Sequence, residues 1–404
     1  MTCVCTFVGQ NHRAAFNSKL NMNTNIVSAT FHLTHQCNLR CIYCYTGAKV
    51  HQPMPRAVAD AGIALVLGEA QKKGATYVDI TFFGGEPLLE MDLLCYIADT
   101  LTQKADAQHT LSFKLSTNGT LLTPARLREL QQRQIYVSLS VDGPPDIHDA
   151  QRPNAGGNPS SGLVQKAIPL LLRANPNAAV TCVLTPLSAP HAARSVAWVY
   201  DQGFRFINLT LDYSAPWTLD DMRQLEQSYH QIAAWYEQRT LNNERFYLSC
   251  FDERIQSHTK APIAENERCN LGIKQFSIAP DGAIYPCIQF VTTEGVPEFM
   301  IGHVLHGGFD PQCRTHVHAC SETTKPECAG CALQGRCSSW CACINFASTG
   351  TVTAASPVVC YHEQVLLPLV DRMAERLWKK RNNLFIHKHY NPSYSLINYL
   401  ENAV

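Results

Sequence analysis

Apolar positions in the first half of the chain follow two alternating rhythms. Six short runs rich in β-branched and aromatic residues cover residues 27–33, 77–83, 112–117, 136–141, 179–184 and 205–211. Between them lie stretches with apolar residues three and four apart, at 56–73, 91–104, 124–132, 163–172, 192–202 and 219–238. Strand alternating with helix predicts an α/β fold with a parallel sheet and helices outside it. Six units rather than eight predict an incompletely closed (β/α)6 barrel, with its site at the C-terminal ends of the strands. Near Cys250 the pattern fades and cysteines dominate as far as Cys360. A run from 361 to 379 then reads as a helix, with Val365, Leu366, Leu369, Val370, Met373 and Leu377 on one face. The expected organisation is an N-terminal segment (1–25), a barrel (26–240), a cysteine-rich unit (241–362), and a C-terminal helix and tail (363–404). The tail either docks on the barrel or is disordered, with His387-Lys388-His389 solvated.

Composition narrows the function. Lys plus Arg and Asp plus Glu are each 33, so no net field favours nucleic acid or an acidic membrane. No apolar run is long enough for a transmembrane helix, and the first residues lack a secretory pattern. Eighteen cysteines without such a signal argue for metal in a reducing cytoplasm rather than for disulfides.

The densest chemistry follows the first strand. Cys37, Cys41 and Cys44 are spaced Cys-x3-Cys-x2-Cys, so that three thiolates can seize a metal on one loop. A cubane iron–sulfur cluster normally takes four cysteines, so three leave one iron open. A structural zinc site is the alternative, and it wants a fourth nearby ligand. The stretch resembles the radical S-adenosylmethionine superfamily. That resemblance implies a 4Fe–4S cluster on these three cysteines, with S-adenosylmethionine chelating the open iron. It implies a 5′-deoxyadenosyl radical that abstracts hydrogen from unactivated C–H bonds, and an electron donor such as flavodoxin or ferredoxin. Tyr43 matches the family's aromatic residue beside adenine.

Further barrel residues carry the same resemblance. Gly84-Gly85-Glu86-Pro87 ends the second strand; two glycines permit close backbone approach and Glu86 supplies an acceptor. In the superfamily this motif contacts the cofactor's amino group. Ser116 and Asn118 end the third strand, where the family analogy gives them cofactor contacts and a plain Asn-Gly turn is the alternative. Ser138 opens Ser-x-Ser-x-Asp-Gly-Pro, followed by His148, Asp149 and Arg152. This segment resembles peptide-modifying members, including anaerobic sulfatase-maturating enzymes, and Arg152 is expected to clamp the cofactor carboxylate bidentately. Val183 and Leu184 are expected against adenine.

The second half reads Cys269-x12-Gly282-x4-Cys287, then Cys328-x2-Cys331-x5-Cys337-x3-Cys341, and after eighteen more residues Cys360. It resembles the SPASM domain, which implies two auxiliary iron–sulfur clusters. Cys328, Cys331, Cys337 and Cys360 would hold one. Cys269, Cys287 and Cys341 would hold the other, with Cys250 the nearest upstream candidate for a fourth ligand and Cys343 a competitor. A pair of zinc ribbons is the alternative. Cys313, His316, His318 and Cys320 form a weaker candidate zinc set.

Auxiliary clusters beside a radical site suit an oxidation, and the resemblance points to a precursor peptide or protein as partner. Sulfatase-maturating enzymes carry an aspartate base directly after the cysteine equivalent to Cys287, where this chain has Ile288. The reading is therefore a peptide maturase making a cross-link, an aromatic ring joined to a β-carbon as in cyclophane-forming enzymes. Formylglycine or thioether formation is the alternative, and a metal-binding adaptor the alternative outside enzymes. The first 25 residues are too short for a separate leader-binding domain.

Overall fold

The computed structural model describes residues 26–259 and 270–391. Seven parallel strands run in sequence order: β1 (Ile26–His32), β2 (Tyr77–Phe83), β3 (Thr110–Thr117), β4 (Ile135–Ser140), β5 (Ala179–Leu184), β6 (Phe206–Leu211) and β7 (Tyr247–Leu248). The helices between them are α1 (Arg56–Lys72), α2 (Met91–Lys104), α3 (Pro124–Gln132), α4 (Pro145–Gln151), α5 (Ser161–Ala174), α6 (Ala192–Asp201) and α7 (Leu219–Leu241). All six anticipated strands and their helices are present, and the sheet does not close.

The cysteine-rich half is more regular than its sequence suggests. It contributes α8 (Ser249–Thr259), β8 (Gln275–Ile278), β9 (Ala283–Tyr285), β10 (Gly302–His303), β11 (Gly308–Phe309), α9 (Pro311–Ser321) and α10 (Ala342–Thr349). Strand β8 pairs parallel with β1, pairing Ser28 with Gln275 and Thr30 with Ser277, so the sheet continues as β11-β10-β9-β8-β1. The two halves share one sheet. Helix α11 (Pro357–Lys379) starts four residues before the expected 361, because Ser356 caps it by accepting from the Val359 N–H and Pro357 suits a first turn. Cys360 thus sits in its first turn. Helix α12 (Asn383–Tyr390) follows and docks on α8 and α7. The solvated reading holds at His387, which is exposed, and is overturned at the next two residues: Lys388 is largely buried, pairs with Asp252 at 2.5 Å and donates to the Phe246 carbonyl. His389 is 5% exposed.

Alternation along each strand separates two faces. Val27, Ala29, Phe31 and Leu33 are fully buried on the helix side, where Gly62 of α1 lies over the Phe31 ring. The opposite face is polar: Ser277, Thr30, Thr81, Lys114 and Tyr136 stand in register across β8, β1, β2, β3 and β4. Lys114 and Asp79 pair there at 2.7 Å. A closed barrel fills its interior with branched apolar residues. A polar inner face suits a polar guest. No helix among the described residues is long and apolar enough to cross a membrane.

Candidate active site at the cysteine loop

The loop after β1 is held on both sides by backbone. Gly85 N–H donates to the Thr34 carbonyl at 2.7 Å and Glu86 N–H to the Gln36 carbonyl at 2.9 Å. A Cβ on Gly85 would lie 2.2 Å from the Gln36 oxygen, and one on Gly84 2.7 Å from the Thr34 oxygen. The glycines are needed because the second strand's end lies directly on the cysteine loop; the close approach anticipated for a ligand is made to the chain itself. On the other side Arg40 N–H donates to the Pro153 carbonyl, Ile42 N–H to the Gln151 carbonyl, and Ala155 N–H to the Asn38 carbonyl.

Two buried carboxylates complete the brace. Glu86, 1% exposed, accepts from the Leu88 N–H, the Thr117 hydroxyl at 2.8 Å and the Asn118 N–H at 2.9 Å. Burial pushes its carboxyl above the usual range. Both oxygens serve the protein's own donors, so Glu86 positions the third strand's end. Asp142, fully buried, accepts from the Tyr43 hydroxyl at 2.8 Å, the Gln151 amide at 2.8 Å and the Val183 N–H at 3.0 Å. It also receives Arg152 bidentately, at 2.9 and 3.0 Å. The expected Arg152 fork is therefore closed on Asp142, because a buried guanidinium needs a paired carboxylate. Its remaining Nη1 lies 4.0 Å from Cys41 Sγ.

Each front thiol thus faces a nitrogen donor. Cys37 Sγ accepts from the Leu39 N–H at 3.4 Å and lies 3.9 Å from Asn118 Nδ2. Cys44 Sγ lies 3.0 Å from Lys49 Nζ. Burial pushes the Cys37 thiol up to about 11 and the Cys41 thiol up to about 12, whereas Lys49 and local hydrogen bonds draw Cys44 down despite burial. Thiols raised so far need a cation to become thiolates near neutral pH. Three sulfurs on one loop, each with a donor and no fourth cysteine on it, fit a cluster with an open iron.

Ser116 and Ser138 pair in register on the inner face below this loop, with Ser138 Oγ 3.3 Å from Thr181 Oγ1. Leu184 is a correction: it shares the helix-side face with Val180 and Cys182 and is fully buried in the core, because period-2 alternation turns it away from Thr181 and Val183. Four residues escaped sequence reading. Lys49 and Thr293 carry no motif, and Asp142 lay unassigned inside a quoted segment. His32 ends β1 fully buried, and neither ring nitrogen has a hydrogen-bond partner. Burial, His35 and Lys49 lower its pKa well below the usual histidine value.

The rear half reaches this loop. Thr293 donates its N–H at 3.0 Å and its hydroxyl at 2.9 Å to the Thr46 carbonyl, and shares the hydroxyl with Ala48. Cys328, Cys331 and Cys337 each raise the Cys360 thiol electrostatically, so these four anticipated ligands share one neighbourhood. Ser339 Oγ lies 3.7 Å from Cys328 Sγ and 3.1 Å from Cys337 Sγ. Cys287 and Cys341 are also brought together, by way of Cys343. Cys269 lies outside the described residues. Cys250 was expected as the upstream ligand; α8 carries it into the core beside Cys182 and Tyr229. Cys313 and Cys320 stand about two turns apart along α9, roughly 10 Å by helix rise, too far for one ion.

Residues 31–187 match the family model described as Radical SAM superfamily, and the chain carries a radical SAM domain. Members use S-adenosylmethionine and a 4Fe–4S cluster. The chain is 26% identical to a cysteine-type anaerobic sulfatase-maturating enzyme of Clostridium perfringens, over 63% of this chain and 72% of that protein. It is 25% identical to the mycofactocin maturase MftC of Mycolicibacterium smegmatis, over 79% of each. Its fold matches the structure titled native anSMEcpe with bound AdoMet and Cp18Cys peptide, with TM-score 0.73 and 21% identity over 89% of this chain and 99% of that one. It also matches Streptococcus suis SuiB bound to precursor peptide SuiA, with TM-score 0.58 and 16% identity over 87% and 80%. The relatives thus include anaerobic sulfatase-maturating enzymes and a mycofactocin maturase.

Proposed function

We propose that this chain matures a ribosomally made peptide in the cytoplasm by cross-linking two of its side chains, most specifically an aromatic ring to a β-carbon. When bound, the cluster and S-adenosylmethionine supply hydrogen-atom abstraction from unactivated C–H bonds. Cys37, Cys41 and Cys44 hold the cluster. Tyr43, Glu86, Asn118 and Arg152 keep the loop in place, and the polar inner face receives the peptide. Joining two carbons removes two hydrogen atoms from the peptide, which is two protons and two electrons. The rear cysteines would hold an auxiliary iron–sulfur site, which would offer an acceptor for the second electron. A flavodoxin or ferredoxin supplies the first reduction.

The observation that carries this reading is Ile288. It is fully buried directly after Cys287, where a formylglycine-forming enzyme has its aspartate base. The similarity to MftC and the SuiB fold support peptide maturation, while the similarity to sulfatase-maturating enzymes favours formylglycine formation as the second reading. Mass spectrometry of a peptide co-expressed with the chain separates them. A loss of two hydrogens, with fragmentation blocked between the joined residues and no reaction with a hydrazine, is expected. An aldehyde captured by hydrazine overturns cross-linking in favour of formylglycine.

A further inference from the structure

Cys343 is not part of the seven-cysteine pattern of the rear half, yet it lies between two of its members. Its Sγ is 3.5 Å from Cys287 Sγ and 3.4 Å from Cys341 Sγ. These separations far exceed the roughly 2.05 Å of a disulfide, and none of the three is joined in one. They are 1–3% exposed. Cys341 caps α10 and Cys343 occupies its first turn, where the helix end favours negative charge. Cys287 follows the end of β9. The Phe290 and Phe346 rings, 5.5 Å apart, come from the same two segments, and all three thiols belong to the apolar core. Three thiols converging from two elements, in an apolar setting, are what a thiophilic metal group requires.

We infer that Cys343 is a ligand, with Cys287 and Cys341, of the iron–sulfur site in the rear half. The inference rests on the auxiliary-cluster part of the proposed function. On ligation each thiol gives up its proton and presents a thiolate. Cys343 then brings one thiolate to this site beyond those that the seven-cysteine spacing supplies. Cys250, held in the barrel core, takes no part.

The test is anaerobic reconstitution of the full chain with 57Fe and sulfide, in wild type and in C343A, C343S and C250A, with iron and sulfide counts and Mössbauer and EPR spectra. Wild type is expected to hold on the order of twelve irons, about four per cluster. C343A is expected to lose at least one iron per chain, and C250A none. C343S keeps the side chain's shape, so if C343A fails to fold it provides the readout: an altered Mössbauer subsite with iron retained. Near twelve irons in wild type, with both Cys343 variants spectroscopically unchanged, overturns the assignment alone. About four irons in wild type, the front loop only, overturns it together with the auxiliary-cluster part of the function.

Discussion

The two cysteine regions solve the same problem differently. The front loop is fixed by strand ends: Gly84–Glu86 on one side, residues 151–155 on the other, and the Glu86 and Asp142 carboxylates beneath. The rear loop from Pro326 to Cys341 closes mainly on itself, through turns such as Cys331 N–H to the Cys328 carbonyl and Cys337 N–H to the Leu333 carbonyl. Between Lys325 and Cys341 it buries no apolar side chain. Its ties to the rest come from α11, from α8, where Arg336 donates to the Ser257 hydroxyl at 3.2 Å, and from α10, where the Asn345 amide donates to the Ser339 carbonyl at 2.8 Å. Glu363 accepts from Arg254 at 2.6 and 3.0 Å and from the Ser338 hydroxyl at 2.8 Å, and Asp371 receives Arg336 bidentately at 2.7 Å. A site built on a sheet is ordered before its metal arrives, whereas a loop without a core depends on metal for its order.

The largest effect is expected at the front thiols. Alanine at Cys41 should abolish production of 5′-deoxyadenosine from S-adenosylmethionine under reducing conditions, a loss of 10³-fold or more, because the remaining two thiols cannot hold a cubane. Persistent product would break the front assignment. Next, D142A should destabilise the chain by about 3–5 kcal/mol in denaturant melts, since it leaves Arg152 buried without its partner. E363Q should cost less in the same melts, because the amide keeps the side chain's shape and one oxygen to accept from Arg254 and Ser338.

Iron removal sharpens the contrast directly. Chelation should raise amide exchange in residues 326–345 by tenfold or more while β1–β6 stay protected. Equal loss in both regions would erase the distinction drawn here.

The histidines give a smaller, pH-dependent signal. Burial lowers His148 to about 4 and His362 to about 3, with a guanidinium beside each as the second cause. Below the unfolded value near 6.5 the unfolded chain takes up a proton that the folded chain refuses, so each histidine removes stability as pH falls. The slope is about 1.4 kcal/mol per pH unit for each, from 6.5 to about 4 for His148 and to about 3 for His362. Glu253, raised to about 8 by burial, acts in the opposite sense between 4.5 and 8. The measurement is therefore a difference: H148Q should flatten the acid limb at the front and H362Q at the rear, each by one such slope. The smallest effect is K49M. Removing a cation 3.0 Å from Cys44 should lower the front cluster's midpoint potential by on the order of tens of millivolts in a redox titration.

Local pattern carried the strands, the helices of the first half, and the front cysteines, because a strand–loop–helix unit keeps its ligands within eight residues and its periodicity in one window. It did not carry the continuation of the sheet through β8 or the docking of Lys388, since both depend on pairings across the length of the chain. Face assignment failed at Leu184 for a related reason: which side of a strand looks inward is decided by neighbouring strands and covering helices.

Sequence alone determined that this chain would build a parallel half-barrel with three metal-seeking thiols at its mouth, because hydrophobic period and ligand spacing are local quantities. Tertiary structure alone decided that Arg152 turns to Asp142, that the paired glycines serve the loop's own backbone, and that Cys343 meets Cys287 and Cys341 while Cys250 enters the core. A buried charge takes whichever partner the fold brings within reach, and a thiol's neighbours are set by packing rather than by distance along the chain.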